Sequence, residues 1–219
     1  MESHLWKFSL RLLRSALLIL CILSFFDYIE NSKFIQNCTE YATYKYLLLT
    51  KISLFFTLLS STSGLLKRIT GINSKPHVFL LAISSCLQTI VFILFWGLMF
   101  FDKKLVVDHK AIQQKTEASL WNRLCSHAFP FILSYLNMHE MSLNYSGNHI
   151  AFFIIFTILY FLATSFYSWY FNRDVYPLLS KINIIQKLFV FFGVAVISII
   201  IYLINIKLFS KNKKEQKLE

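Results

Sequence analysis

The stretch VFLLAISSCLQTIVFILFWGLMFF, from Val78 to Phe101, contains no Asp, Glu, Lys or Arg and decides the class of the fold. A helix needs about 20 predominantly apolar residues to cross the hydrocarbon core of a bilayer, and this stretch is long enough. Two further stretches, Ile150 to Phe171 and Leu188 to Ile206, are also free of these charged residues. The sequence therefore predicts at least three transmembrane helices.

Three other apolar stretches contain basic residues, namely Arg14, Lys51 and Arg123. Long basic side chains can extend from a membrane helix to the interface, so these charges do not exclude spanning. Open sheet edges cannot face lipid, and only helices or closed barrels cross a bilayer. We therefore predict an all-α polytopic membrane protein, a six-helix transmembrane bundle. The predicted spans lie at about 12–29, 44–66, 78–101, 120–138, 150–171 and 187–208.

The composition agrees with this class. The chain of 219 residues is 56% hydrophobic and only 15% charged, whereas soluble domains carry about 25% charged residues. A chain this apolar is also unlike a disordered one. Only 5 Gly and 3 Pro are present, too few for a flexible linker between domains. We predict a single integral membrane domain over residues 1–219, ending in a basic cytosolic tail at 209–219.

The net charge of +11 is compatible with nucleic acid or with anionic lipid as a partner. The basic residues flank the predicted spans, so we predict contact with an anionic membrane surface and no nucleic-acid partner. Lys and Arg are enriched in the N-terminal segment, the second loop and the tail, which predicts that both termini are cytosolic. The membrane is predicted to be the endoplasmic reticulum or the plasma membrane. Glycosylation sequons at Asn37 and Asn144 fall on opposite sides of this topology.

The fourth predicted span carries the most polar residues. Arg123 and His127 are four residues apart and share one face of a helix, and Asn122 and Ser126 form a second such pair. Ionisable residues inside a membrane usually face the bundle interior or a cavity, which favours a functional polar face. An alternative is that Arg123 anchors the helix at the interface and His127 forms an interhelical hydrogen bond.

The second predicted span contains Thr50 and Lys51. Counted from the expected helix start, Lys51 lies about seven residues inside, or roughly 10 Å deep at 1.5 Å per residue. A lysine at that depth requires a partner or water. The alternatives are that Thr50 bonds the carbonyl of its own preceding turn and that Lys51 extends towards the interface.

Motifs for metal and cofactor chemistry are not present in the sequence. The six His residues form no HExxH pattern, and there is no GxSxG elbow, phosphate loop or Gly-rich cofactor fingerprint. We therefore predict no metal and no cofactor. If the protein is a hydrolase, its nucleophile and its base must come from different helices, because Cys125 and His127 point about 200° apart on one helix.

Several short motifs follow one another between about residues 44 and 180. They are Tyr44-Lys45-Tyr46-Leu47, Leu65-Leu66-Lys67-Arg68, Phe95-Trp96-Gly97-Leu98, Asp102-Lys103-Lys104-Leu105-Val106, Trp121-Asn122, Pro130-Phe131-Ile132-Leu133 and Val175-Tyr176-Pro177. This ordered set resembles the landmarks of the androgen-induced protein and androgen-dependent TFPI-regulating protein family. The resemblance covers most of the chain.

The resemblance implies a multi-helix membrane hydrolase that cleaves fatty acid esters of hydroxy fatty acids with a threonine nucleophile and a histidine. On this chain the catalytic pair would be Thr50 and His127, and the substrate carboxylate would bind Arg123 or Lys51. Thr50 lies two residues after the family's threonine position, which Leu48 occupies. His127 lies one residue after the family's histidine position. Either local helix irregularities restore the two groups, or this chain lacks the pair.

Three classes of function remain open from the sequence. The first is a hydrolase of a lipid substrate held within the bilayer. The second is a non-catalytic lipid-binding or scaffold protein with the same fold. The third is a small transporter or channel with Lys51, Arg123 and His127 along a polar path. No pair of helices interrupted by Gly or Pro is evident, and this disfavours the transporter.

Overall fold

The computed structural model describes residues 2–28, 45–71, 75–107, 117–139, 141 and 143–210. This part of the chain is helical and contains no β-strand. Three short 3-10 turns, Lys45–Leu47, Lys103–Leu105 and Leu179–Lys181, lie between helices, and a π turn covers Leu124–Ala128. The helices are α1 (Glu2–Phe25), α2 (Leu49–Thr70), α3 (Lys75–Phe101), α4 (Leu120–Arg123), α5 (Phe129–Met138), α6 (Gly147–Phe171) and α7 (Ile184–Phe209).

Five described helices are long and apolar enough to cross a membrane: α1 from Trp6 onward, α2, α3, α6 and α7. The expected all-helical membrane architecture is therefore confirmed. The predicted number of six spans is not confirmed. The fourth predicted span is divided into α4, the π turn and α5, and none of these parts is long enough to span alone.

Helix α3 forms the centre of the bundle. Every residue from Leu81 to Val91 is buried, so this helix is covered on all sides. It packs against α2, α5 and α7, and makes a smaller contact with α6. Its apolar residues contribute to a core that also includes Met138, Phe153 and Tyr202. A largely apolar helix without a charged face is expected at such a central position.

Polar side chains link the central helix to its neighbours. Gln88 Nε2 donates to Thr57 Oγ1 of α2 at 2.8 Å. The hydroxyls of Thr89 and Tyr135 lie 3.0 Å apart, and Tyr135 donates to Asn205 Oδ1 of α7 at 3.1 Å. Such bonds stabilise helix association where burial of apolar surface from lipid gives little driving force.

The helix ends have distinct local causes. Gly71, with a φ of 68°, ends α2 in the left-handed conformation that glycine adopts without strain. Ser146 caps the first turn of α6, and Asn183 with Gln186 forms a reciprocal capping box at the start of α7. The amide of Leu143 donates to the carbonyl of Phe209 at 3.1 Å, which brings the start of α6 beside the end of α7.

Two helix boundaries differ from the predicted spans in ways that affect the site. The second helix begins at Leu49 rather than near residue 44, because Leu48 is extended. Lys51 therefore lies in the first helical turn and not about seven residues inside the helix. The first helix ends at Phe25, and the chain then turns through Asp27, whose φ is 60°. The predictions for Asn37 and for the tail beyond residue 210 concern segments outside the described residues.

Candidate functional site

The start of α2 positions Thr50. Leu48 has φ −64° and ψ 129°, and its side chain forms no capping hydrogen bond. The amide of Leu49 is instead capped from another part of the chain, because it donates to the hydroxyl of Tyr176 at 2.6 Å. Thr50 is thus the second residue of the helix. Backbone amides in the first turn of a helix have no acceptor within the helix, and their partial positive charge is directed towards this end.

A cavity of about 140 Å³ adjoins this helix start. Its walls come from α2, α3, α6, α7 and the segments that include Leu105 and Tyr176. Most of the surface is apolar. The polar side chains on its wall are Thr50, Thr157, Tyr160, Tyr176 and Ser198. Ligand pockets commonly combine an apolar lining with a few polar groups. The apolar residues on the wall are Leu49, Leu87, Ile90, Val91, Leu94, Phe95, Leu98, Leu105, Val106, Phe156, Leu178, Leu179, Val190, Phe191 and Val194.

The three aliphatic hydroxyls on the cavity wall differ in their partners. Thr157 Oγ1 donates to the Phe153 carbonyl at 2.8 Å, and Ser198 Oγ donates to the Val194 carbonyl at 2.7 Å. These are the usual bonds to the preceding helical turn. Within the described residues the Thr50 hydroxyl has no hydrogen-bond partner. The residue four positions before it precedes the helix, so a regular helical acceptor is not in place.

Lys51 is directed to the end of α1. Its ammonium donates to the Ser24 carbonyl at 2.6 Å and to the Phe25 carbonyl at 3.1 Å, and it pairs with the Asp27 carboxylate. Lys45 binds the other oxygen of Asp27 at 2.8 Å, and this hydrogen bond raises the pKa of Lys45. The free carbonyls at a helix C-terminus attract cations. Lys51 is therefore already paired within the protein.

The π turn places His127. Its backbone bond runs from the Phe129 amide to the Leu124 carbonyl, five residues back instead of four. Pro130 explains the irregularity, because its ring has no N–H and would collide with the carbonyl four residues earlier. The turn contains one extra residue. His127 lies inside this turn, five residues after Asn122, and the segments before and after the turn differ in phase by one residue.

The imidazole of His127 forms no described hydrogen bond with Thr50. Its ring stacks on Phe95 with the centroids 3.5 Å apart and an angle of 9° between the planes. Its Nδ1 is buried and has no hydrogen-bond partner among the described residues. Phe95 is itself a wall residue of the cavity. Thr50 lines the same cavity as Phe95, and no described hydrogen bond joins Thr50 to His127.

Arg123 lies one turn before His127 in an ion cluster. Its guanidinium donates to Glu117 Oε2 at 2.6 Å, and Lys103 binds Glu117 Oε1, also at 2.6 Å. The hydrogen bond from Lys103, with a second from Arg123, lowers the pKa of the Glu117 carboxyl. Lys103 begins the 3-10 turn that continues into Leu105 on the cavity wall. The cluster therefore connects the helix of His127 with one border of the cavity.

Two tyrosines on the cavity wall were not predicted as site residues. Tyr160 donates to the Leu47 carbonyl at 3.0 Å, and its oxygen lies 3.4 Å from that of Tyr176. Neither tyrosine belongs to a sequence motif that indicates a catalytic or binding role. The motif containing Tyr176 contributes only to the family resemblance. As for metal, the described residues contain no group of three or more His, Cys, Asp or Glu side chains that could bind an ion.

The long apolar helices define a multi-pass helical membrane protein with an internal cavity. A family model described as FAR-17a/AIG1-like protein matches residues 12–210, and the chain belongs to this family. This is the androgen-induced protein family, so the resemblance predicted from the motifs is confirmed. No curated protein and no solved structure matched the chain.

Proposed function

We propose that this protein is an intramembrane hydrolase that cleaves fatty acid esters of hydroxy fatty acids, with Thr50 as the nucleophile and His127 as the base. The observation that carries the proposal is the Thr50 hydroxyl, which lies on an apolar cavity wall and has no described hydrogen-bond partner. The other two aliphatic hydroxyls on the wall are bound to helix carbonyls. Thr50 is therefore the hydroxyl that is available for attack.

The position of Thr50 also suits the chemistry electrostatically. It lies in the first turn of α2, where the positive end of the helix dipole stabilises negative charge. Attack by the hydroxyl on an ester places negative charge on the former carbonyl oxygen. Fixed dipoles that are already oriented towards such charge lower the barrier without reorganisation.

The reaction follows the general course of an acyl transfer. The Thr50 oxygen bonds to the ester carbonyl carbon while its proton passes to His127. The hydroxy fatty acid leaves as an alcohol after receiving that proton, and a fatty acyl ester on Thr50 remains. Water, deprotonated by His127, then releases the fatty acid and restores the threonine. For the first step, Phe95 must rotate away from the imidazole so that His127 can approach the cavity.

The apolar cavity is suited to an acyl chain that arrives from the bilayer. Leu94 of α3 is 36% exposed and Val190 of α7 is 39% exposed, and both are also wall residues. A chain that passes between these two helices would reach the cavity without crossing water. This route supports a lipid substrate held within the membrane, because such a substrate is already concentrated in the bilayer.

The free carboxylate of the lipid is proposed to bind at Arg123. Arg123 and Lys103 share the single carboxylate of Glu117, so the cluster carries a net positive charge. A hydrogen bond between ionised groups, as in a pair of Arg123 with a lipid carboxylate, is stronger than a bond between neutral groups. Lys51 is the other candidate. Its ammonium is already held by two carbonyls and Asp27, so Lys51 would have to leave these partners to bind a lipid carboxylate.

A substitution series with matched controls tests the proposal. We expect purified Thr50→Ala protein in detergent to lose ester hydrolysis, while Thr157→Ala and Ser198→Ala, which change the other two wall hydroxyls, retain it. His127→Ala should lose activity as Thr50→Ala does, and the double variant should be no worse, because residues that act as a unit are not additive. A serine- and threonine-directed phosphonate should label Thr50. Full activity of Thr50→Ala would disprove the proposal.

A non-catalytic lipid-binding protein is the alternative, and one observation favours it. The imidazole of His127 is covered by Phe95, and the catalytic hydrogen bond is not formed. In unliganded enzymes such bonds are often absent and form only with substrate, so this observation alone does not decide. A folded protein that retains a bound lipid in detergent, but neither hydrolyses esters nor reacts with the phosphonate, would establish the alternative.

A further inference from the structure

The hydroxyl of Tyr176 is fixed next to the proposed nucleophile. Tyr176 lies in the segment between α6 and α7, and its side chain forms part of the cavity wall. Its oxygen accepts the Leu49 amide at 2.6 Å, and Leu49 directly precedes Thr50. The phenol is therefore held at the first turn of α2, on the same wall as the Thr50 side chain.

The proton of this hydroxyl has no good acceptor among the described residues. Tyr160 gives its own proton to the Leu47 carbonyl at 3.0 Å. Among the described residues, the oxygen within hydrogen-bond reach of the Tyr176 hydroxyl is that of Tyr160, and the two oxygens are 3.4 Å apart. This separation is well beyond the usual O–H···O distance of about 2.7–2.8 Å. An ester carbonyl in the cavity would be a better acceptor for the Tyr176 proton.

We propose that Tyr176 is a catalytic residue that donates a hydrogen bond to the ester carbonyl oxygen while Thr50 attacks the carbonyl carbon. This inference rests on the hydrolysis proposed above. As the Thr50 oxygen forms its bond, the π electrons of the carbonyl move to the oxygen, and the Thr50 proton moves to His127. Tyr176 keeps its proton throughout. When the intermediate collapses, the electron pair returns, and the leaving alkoxide takes the proton from His127.

The surroundings keep the phenol protonated. Burial raises the pKa of Tyr176. The groups that face it are the Tyr160 hydroxyl from α6 and the Leu49 amide from α2. The wall residues from α3 are apolar, and so are Leu105 and Val106. The wall hydroxyl from α7, that of Ser198, is bound to a helix carbonyl. Asp174, two residues earlier in the chain, is paired with Lys187 at 2.6 Å. A hydrogen-bond donor is therefore maintained at neutral pH.

A purely structural role makes a different prediction. Tyr176 also caps α2 through the Leu49 amide, and a cap requires only an acceptor. A phenolate accepts an N–H at least as well as a phenol does, because charge-assisted bonds are stronger. Loss of the proton would then leave the cap intact. A donor to the carbonyl oxygen, by contrast, stops working when the proton is lost.

Fluorination of this tyrosine separates the two roles. We replace Tyr176 in the full-length protein with 3,5-difluorotyrosine, which keeps the ring and the acceptor but has a more acidic hydroxyl. We expect the alkaline fall in kcat to move to lower pH by about the amount that fluorination lowers the pKa of the free phenol. The same replacement at Tyr160 is the matched control and should leave this part of the pH profile in place. An unchanged profile in the Tyr176 variant would overturn the inference.

A second variant measures the size of the effect. Tyr176→Phe should lower kcat about 10²- to 10³-fold, which is the usual cost of one oxyanion donor, and change KM little. If Tyr176→Phe does not fold, the fluorinated protein decides the question, because it retains the cap. Loss of activity in Thr50→Ala together with full kcat in Tyr176→Phe would overturn this inference alone. Full activity of Thr50→Ala, or no hydrolysis by the unmodified protein, would overturn the proposed function and this inference with it.

Discussion

The imidazole ring of His127 lies nearly parallel to the phenyl ring of Phe95, with the ring centroids 3.5 Å apart. Phe95 also faces the cavity whose wall includes Thr50. The aromatic ring therefore covers the proposed base in the unliganded protein. This arrangement predicts a protein in which movement of one side chain precedes the reaction.

Phe95→Ala should raise kcat about 2- to 10-fold, because an aromatic pair is worth about 0.5–1.5 kcal/mol and would no longer have to be broken. The measurement is steady-state hydrolysis of a lipid ester by the purified variant. Phe92→Ala is the matched control. Phe92 lies on the same helix as Phe95 and stacks on Phe131 of α5 with the ring centroids 4.7 Å apart, but it is not a residue of the cavity wall. It should give no increase. A kcat for Phe95→Ala equal to or below that of the control would argue against a covering role.

The π turn leads to a prediction about chain length. Deletion of Leu124 should convert the five-residue turn into a regular α-helical turn and leave both flanking segments in phase. We expect the deletion variant to fold with a lower melting temperature, because Pro130 must then fit a regular turn, and to retain hydrolysis. Deletion of Ile132 from the regular helix α5 is the control and should prevent folding, because it rotates all the following residues by about 100°. Melting curves and activity in detergent provide the readout. Equal losses in the two variants would show that the turn is not a single-residue insertion.

The membrane class could be predicted from the sequence, because an uncharged apolar stretch as long as Val78–Phe101 is typical of a transmembrane helix and rare in soluble domains. The family could be predicted as well, since an ordered set of short motifs does not depend on exact helix boundaries. The number of spans was harder to predict from the sequence. A polar helix that contains Pro130 and a π turn does not present one continuous apolar stretch.

The local geometry of the site depends on tertiary contacts that sequence patterns do not encode. The start of α2 at Leu49 is determined by the hydroxyl of Tyr176, more than a hundred positions further along the chain. The partners of Lys51 come from the end of α1, where Asp27 adopts a positive φ. The one-residue displacement of His127 is evident from the sequence, and Pro130 is the feature there that indicates an irregular helix able to absorb it.

The buried pair of Lys51 and Asp27 predicts a stability effect. Asp27→Asn should lower the free energy of unfolding by about 3–5 kcal/mol, because removal of one partner leaves the other charge buried. Asn tolerates the positive φ at this position, so the backbone conformation should not contribute. Lys45→Gln removes the more exposed partner of the same carboxylate, with a side chain 23% exposed, and should cost much less. Thermal melting in detergent measures the stability of both variants. Similar losses of stability in the two would contradict the claim that Asp27 compensates the buried charge of Lys51.

The distribution of basic residues predicts the orientation in the membrane. The sequon residue Asn144 adjoins Leu143, which bonds to the end of α7, and Lys67 lies nearby with its ammonium 3.5 Å from Met141 Sδ. We propose that this end is cytosolic, so Asn144 should carry no glycan. In cells, Asn144→Gln should leave electrophoretic mobility unchanged, and any glycan should be removed by Asn37→Gln. A mobility shift caused by Asn144→Gln would reverse the proposed orientation.

The net positive cluster around Glu117 predicts selectivity for the lipid head. Arg123→Gln should raise the KM for an ester with a free carboxylate, whereas the KM for its neutral methyl ester should change little, since only the acid gains an ion pair. Lys187→Gln is the matched control, because Lys187 also pairs with a single carboxylate and its side chain is 16% exposed, against 15% for Arg123. It should affect both lipids equally. Equal changes for the two lipids in Arg123→Gln would assign Arg123 to the structure, and melting temperatures measured in parallel would separate that outcome from loss of folding.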